Sequence, residues 1–134
     1  YDDVDGFMIQ LPLPEHINVN LVLESIDPRK DVDGLTAINL GKLFQRDRSA
    51  IPPATPLGIM KLLEEYNIKI FGKHVVILGS SNIVGVPLAA MMLKKNATVT
   101  VCNSHTVDIQ RVSKTADILL SVSPVGSVSP FSSR

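Results

Sequence analysis

Gln10 is the first side chain in the sequence whose surroundings suggest chemistry. It stands in VDGFMIQLPLPEHI, between the apolar pair Met8-Ile9 and the segment Leu11-Pro12-Leu13-Pro14. The two prolines fix the backbone without needing sheet donors. A neutral amide at the end of a strand can hydrogen-bond an amine or a substrate oxygen without adding charge. The plainer alternative is a glutamine that only caps the strand. Asp33, in DVDG, also has two readings. Its carboxylate can accept two N–H bonds from a guanidine-like edge, or it can close an Asx-turn before Gly34.

A third stretch, VVILGSSNIVGVP, sets Gly79 directly after an apolar run and Gly85 near the start of a helical pattern. In a strand–loop–helix unit, such a loop aims free backbone N–H groups and the positive end of a helix dipole at a phosphate. Ser81 can add a hydroxyl donor. The Gly-x-Gly-x-x-Gly dinucleotide fingerprint is absent, because Ser81 stands where its second glycine belongs. An ordinary strand-to-helix turn, with glycines serving packing, is the alternative. Further on, the sequence reads Asn103-Ser104-His105-Thr106, with no carboxylate to bond a ribose 2′-hydroxyl. Hydroxyls and an imidazolium tolerate a 2′-phosphate, which favours NADP while leaving NAD open.

These residues need elements to hold them. FMIQL reads as a buried strand ended by prolines. NVNLVLESI places Val19, Val22, Leu23 and Ile26 on one helical face, with Asn18 as N-cap and Pro28 behind it as a stop. AINLGKLF fits a short helix or a strand. After the proline-rich RDRSAIPPATPLG, Thr55 is the expected N-cap and Pro56 the first helical residue of a helix. That helix should pack Ile59, Leu62, Leu63 and Tyr66. From Lys73 onward a strand from His74 to Leu78, the glycine loop, an apolar helix, the strand in ATVTVCNS, a short helix in TVDIQRVSKTA and the strand DILLSV give β-α-β-α-β. That order implies a parallel sheet with helical crossovers. The Ser/Pro-rich SPVGSVSPFSSR reads as a loose tail.

The 134 residues suit one domain or little more, and the formal charge of zero gives no support for nucleic acid or an anionic membrane as partner. No apolar run is long enough to span a bilayer. Cys102 is the one cysteine, which excludes an internal disulfide and points to a reducing compartment, the cytoplasm, with a mitochondrial location still open. The same Cys102, with Met91 and Met92, is read as core, His74 as structural and His16 as solvated. No histidine or cysteine pair has metal-ligand spacing, so no metal is expected.

The stretches IQLPLP, DPRKDVDGLTAIN, PPATPLGIM, GSSNIVGVPLA and ATVTVCNSHT, in this order, resemble the tetrahydrofolate dehydrogenase/cyclohydrolase family over about residues 1 to 120. The resemblance implies an α/β protein: part of a folate-binding α/β lobe over 1–60, then a partial Rossmann-type parallel sheet over 61–123, with 124–134 as tail. It implies NAD(P)-dependent oxidation of 5,10-methylenetetrahydrofolate and hydrolysis of 5,10-methenyltetrahydrofolate to 10-formyltetrahydrofolate, in a homodimer. By the same resemblance, Gln10 lines the catalytic cleft and assists a lysine. Ile9 and Leu11 flank it beside the folate, Asp33 bonds the pterin, and Pro53, Thr55, Pro56 and Gly58 border folate and cofactor. Gly79, Ser80, Ser81 and Ile83 form the phosphate-side loop, and Ser104 lies near the adenosine ribose.

The sequence also departs from the family pattern. The family's catalytic lysine and its companion tyrosine belong to a segment upstream of anything present here, and Tyr1 is no substitute. Ser80 replaces an arginine that faces the 2′-phosphate of NADP, and His105 replaces a second cation. Past DILLSV the family's further strands and closing helix do not follow. The expectation is a fragment of a longer protein, or a truncated product with a foreign tail. A non-catalytic nucleotide- or folate-binding remnant docking to an intact subunit is the alternative function.

Overall fold

Asn18 starts the first helix as its spacing requires. In the computed structural model, which describes residues 3–122, its side-chain oxygen accepts from the N–H groups of Asn20 and Leu21 at the head of α1 (Val19–Glu24). Ile26, just past the helix, is buried. The ambiguous AINLGKLF is a helix, α2 (Ala37–Phe44), capped by Thr36, whose hydroxyl accepts from Asn39 N–H at 3.3 Å. Asn39 and Leu43, one turn apart, are its buried residues.

Helix α3 (Ala54–Glu65) begins one residue before the expected cap. Pro53 takes the N-cap position and its carbonyl accepts from Leu57 N–H at 3.0 Å, so Thr55 lies inside the first turn. Pro56 is harmless there because first-turn N–H groups have no helical partner anyway. The packed stripe is also shifted. Pro56 and Leu63 are buried with Ile59 and Met60 half-buried, whereas Leu62 is 58% and Tyr66 71% exposed. The stripe Pro56, Ile59, Met60 and Leu63 leaves Leu62 off the packed face, and Tyr66, in line with Leu63, is the C-cap just past the helix.

FMIQL is not a buried strand. Its one ladder contact among the described residues is a parallel bridge between Phe7 and Asp31, and Phe7 and Met8 are exposed. With a single bridge and two prolines behind it, the segment is only partly covered, Ile9 and Leu11 being half-buried.

The chain divides into two compact units, residues 1–68 and 69–134. The second has the predicted alternation: β1 (His74–Leu78), α4 (Gly85–Lys94), β2 (Thr98–Cys102), α5 (Ile109–Lys114) and β3 (Ile118–Ser121). The strands form a parallel sheet in the order β2-β1-β3, with His74 opposite Thr98 and Val75 opposite Ile118. β1 is central and apolar without alternation, as a strand covered on both faces must be; Val75, Val76 and Ile77 are wholly buried. Val76, Leu78 and Cys102 form a cluster against which Ile109, Val112 and Ala116 pack. Leu88 and Met92 of α4 are fully buried, worth about 1.5–3 kcal/mol each. His74 is structural, as expected. Its Nδ1–H donates to the Thr115 carbonyl at 2.9 Å, and Nε2 then accepts the Thr100 hydroxyl at 2.9 Å. Its backbone N–H donates to Asp117 Oδ2. Among the described residues no helix is long and apolar enough to cross a membrane. The expected loose tail lies outside the described residues.

Candidate functional site: a glycine loop and an aspartate turn

β1 delivers Gly79 to the carboxyl edge of the sheet, where its N–H donates to the Cys102 carbonyl at 2.9 Å. The ends of β1 and β2 therefore stay paired beyond the last strand residue. Gly79 has φ 125°, and Gly85 lies so close that a Cβ there would overlap the Gly79 carbonyl oxygen. This contact brings the head of α4 onto the end of β1. Ser81 braces the loop: its carbonyl accepts from Val86 N–H and its Oγ from Val84 N–H at 3.2 Å. The Ser81 hydroxyl hydrogen stays available to donate. The N–H groups of Ser80, Ser81, Asn82 and Ile83 have no acceptor among the described residues. Ser80, Ser81 and Ile83 are exposed.

The turn after β2 leaves the same edge. Asn103 Oδ1 accepts from His105 N–H at 2.8 Å, and Thr106 Oγ1 accepts from Asn103 N–H at 2.9 Å. Two of the four polar side chains thus hold the turn. The Ser104 hydroxyl and the His105 ring are exposed and have no hydrogen-bond partner among the described residues. Four consecutive free N–H donors, a serine hydroxyl and the absence of a side chain at Gly79 fit a dinucleotide pyrophosphate at the carboxyl edge of a parallel sheet. The ribose end fits less tightly: no lysine or arginine stands between Gly79 and Pro87.

In the first unit, Gln10 is exposed and donates from Nε2 to the Leu11 carbonyl at 3.1 Å, leaving its Oε1 free among the described residues. Ile9 and Leu11 are half-buried, and the Leu11–Pro12 peptide is cis. Asp33 is half-buried and makes no side-chain hydrogen bond among the described residues. The turn-closing aspartate is not Asp33 but Asp31, two residues earlier. Its Oδ1 accepts from Gly34 N–H at 2.8 Å and Leu35 N–H at 3.3 Å. Its Oδ2 accepts from Thr36 N–H and from Asn39 Nδ2, each at 2.9 Å. Burial pushes the Asp31 pKa up, but the donors of Asn39, Thr36 and Leu35 outweigh it and hold the carboxyl below its ordinary value. The available signal was the spacing: an aspartate three before Gly34, followed by Thr36 and Asn39 in a helix-start pattern.

Gly34, at φ 68°, packs so that a Cβ would meet the Ile51 carbonyl. The turn thereby leans on the backbone leading to Pro53, whose ring is buried, while Thr55 is exposed on α3. Asp33, the Ile9–Leu11 segment and the Pro53 loop are thus tied to one turn, the second through the bridge of Phe7 to Asp31.

A parallel sheet with a glycine loop and a polar turn at its carboxyl edge defines the class of Rossmann-like nucleotide-binding proteins. The NAD(P)-binding domain of tetrahydrofolate dehydrogenase/cyclohydrolase matches residues 53–129, and the catalytic domain of the same family matches residues 1–33. The chain belongs to the tetrahydrofolate dehydrogenase/cyclohydrolase family. It is 54% identical over 125 residues to the bifunctional protein FolD of Hydrogenobaculum sp., covering 92% of this chain and 45% of that protein. The crystal structure of the bifunctional enzyme FolD from Campylobacter jejuni superposes with a TM-score of 0.88 at 48% identity, over 92% of this chain and 44% of that one. The Trypanosoma brucei enzyme, solved with NADP cofactor and an inhibitor, gives 0.83 at 39% identity, over 89% and 41%. The chain therefore spans less than half the length of these relatives.

Proposed function

We propose that this chain carries folate- and cofactor-binding parts of a methylenetetrahydrofolate dehydrogenase/methenyltetrahydrofolate cyclohydrolase. The observation that carries the proposal is the run of four free N–H groups from Ser80 to Ile83 beside Gly79 at the carboxyl edge of the sheet. In this reading those donors and the Ser81 hydroxyl bind the pyrophosphate of NADP, and Ser104 and His105 face the ribose end. NAD fits the same loop. When bound, the cofactor supplies the acceptor for the hydride leaving the methylene bridge.

In the first unit, Asp33 accepts the N–H edge of the pterin, with a carboxylate that no other described group occupies. Ile9 and Leu11 flank the folate, and the buried Pro53 shapes the loop. Gln10 offers a neutral amide oxygen to an amine or a water without adding charge. Proton transfer is not assigned to any residue here. Homodimer formation and residence in the cytoplasm belong to the same reading.

The test is a thermal melt of this chain with and without NADP. At 100 times its dissociation constant, a ligand adds about 2.7 kcal/mol to the folded state. A cooperative transition that NADP moves upward supports the reading. One that neither NADP nor NAD moves overturns it.

A further inference from the structure

The buried polar residues among those described are Asp31, Thr36 and Asn39, and they form one cluster. Asp31 is 1% and Asn39 1% exposed. Both carboxylate oxygens of Asp31 are filled by four donors, and Asn39 Nδ2 also reaches the Pro28 carbonyl at 3.1 Å. Burying a charge is costly unless it is fully hydrogen-bonded, and fully satisfied buried networks fix one local geometry. What this network fixes is the turn that presents Asp33. Asp31 also makes the bridge to Phe7, two residues before Ile9, while Phe7 N–H donates to Lys30 at 2.9 Å. Gly34, held by Asp31, abuts Ile51 and Pro52, the residues leading into Pro53.

We propose that Asp31 and Asn39 are positioning residues of the folate site. Their buried carboxylate–amide clasp holds Asp33, the Ile9–Leu11 segment and the Pro53 loop in one arrangement, although neither side chain touches the ligand. The proposal rests on the folate reading of these three segments. Displacing a binding group by about an ångström can cost orders of magnitude in function, so a loosened clasp weakens folate binding even in folded protein.

The experiment compares Asp31→Asn, Asn39→Ser and Asp33→Asn with the unaltered chain. Calorimetry measures affinity for 5-formyltetrahydrofolate and, on the same preparations, for NADP. Temperatures are kept well below each variant's melting midpoint. Asp31→Asn sets an NH2 against one of the two donor pairs, Gly34 and Leu35 N–H or Thr36 N–H and Asn39 Nδ2, and is expected to weaken folate binding about tenfold or more. Asn39→Ser shifts it in the same direction, and NADP affinity is unchanged in both. A purely structural role would lower the midpoint and leave the folate affinity of the folded protein alone. If Asp33→Asn weakens folate binding while folded Asp31→Asn and Asn39→Ser bind as the unaltered chain does, the positioning proposal falls and the folate reading stands. If the unaltered chain binds NADP but no folate, both fall together. Should Asp31→Asn not fold, Asn39→Ser decides the matter.

Discussion

Gly85 lies against Gly79 so closely that a Cβ on Gly85 would overlap the Gly79 carbonyl oxygen. The obstacle is backbone, which cannot swing aside as a flexible side chain can. The head of α4 and the end of β1 are therefore coupled through a contact only glycine permits. Gly85→Ala is expected to destabilise the second unit by about 1–3 kcal/mol, the usual cost of forcing extra volume into a packed site. It should also open the loop and abolish NADP binding. Urea denaturation and calorimetry on the same variant check the two effects.

Ser80 leaves the glycine loop without a cation. Introducing one by Ser80→Arg gives a 2′-phosphate a charge-assisted partner, worth about 1.5–3 kcal/mol. The ratio of NADP to NAD affinity is expected to rise about 10- to 100-fold. Titrating both cofactors into the variant and the unaltered chain measures that ratio directly. An unchanged ratio would mean that residue 80 does not face the ribose end.

Asp31 makes the fold sensitive to acid. Its folded pKa is depressed below the ordinary 3.8 by the donors around it. A depressed carboxyl contributes stability that is fully present above the unfolded value and is lost as pH falls through the folded one. The unaltered chain should therefore lose stability below about pH 4, and Asp31→Asn, starting less stable, should show a flatter acid limb. Denaturant curves between neutral pH and pH 2 test this. Asp27, half-buried and held near a pKa of about 2 by its pairing with Arg29, serves as the comparison site.

His74 offers the complementary case, a histidine in a structural role. It starts β1, at the opposite end of that strand from the glycine loop. His74→Ala leaves the Thr115 carbonyl and the Thr100 hydroxyl without their ring partner, and is expected to cost about 1–2 kcal/mol. NADP affinity should not change. A loss of NADP binding without loss of stability would contradict the structural assignment.

The second unit was legible almost residue by residue. A strand over His74–Leu78, a glycine loop, a helix, and two further strands separated by a short helix all stand where the pattern set them. The reason is that each element carries its own signal: continuous apolar β1, β-branched Thr98–Val101, glycines between strand and helix. The parallel sheet then follows from alternation alone. Asn18 was legible as a cap for the same reason, since capping is settled within three residues.

The first unit was legible in its motifs but not in its geometry. Local pattern suggested a buried strand at FMIQL, yet burial depends on partners that adjoin the segment in space, and one bridge to Asp31 does not cover it. It offered a packed face that included Leu62 and Tyr66, yet Leu62 lies off the stripe from Pro56 to Leu63 and Tyr66, just past the helix end, is exposed. Above all, the sequence by itself determined that DVDG would make a turn at Gly34 and that an aspartate would serve it. Only the tertiary structure decided which one. Asp31 closes the turn because Asn39, eight residues on and one helix start away, supplies the fourth donor that makes a buried carboxylate tolerable. That contact exists only once α2 has formed, and it leaves Asp33 uncommitted among the described residues.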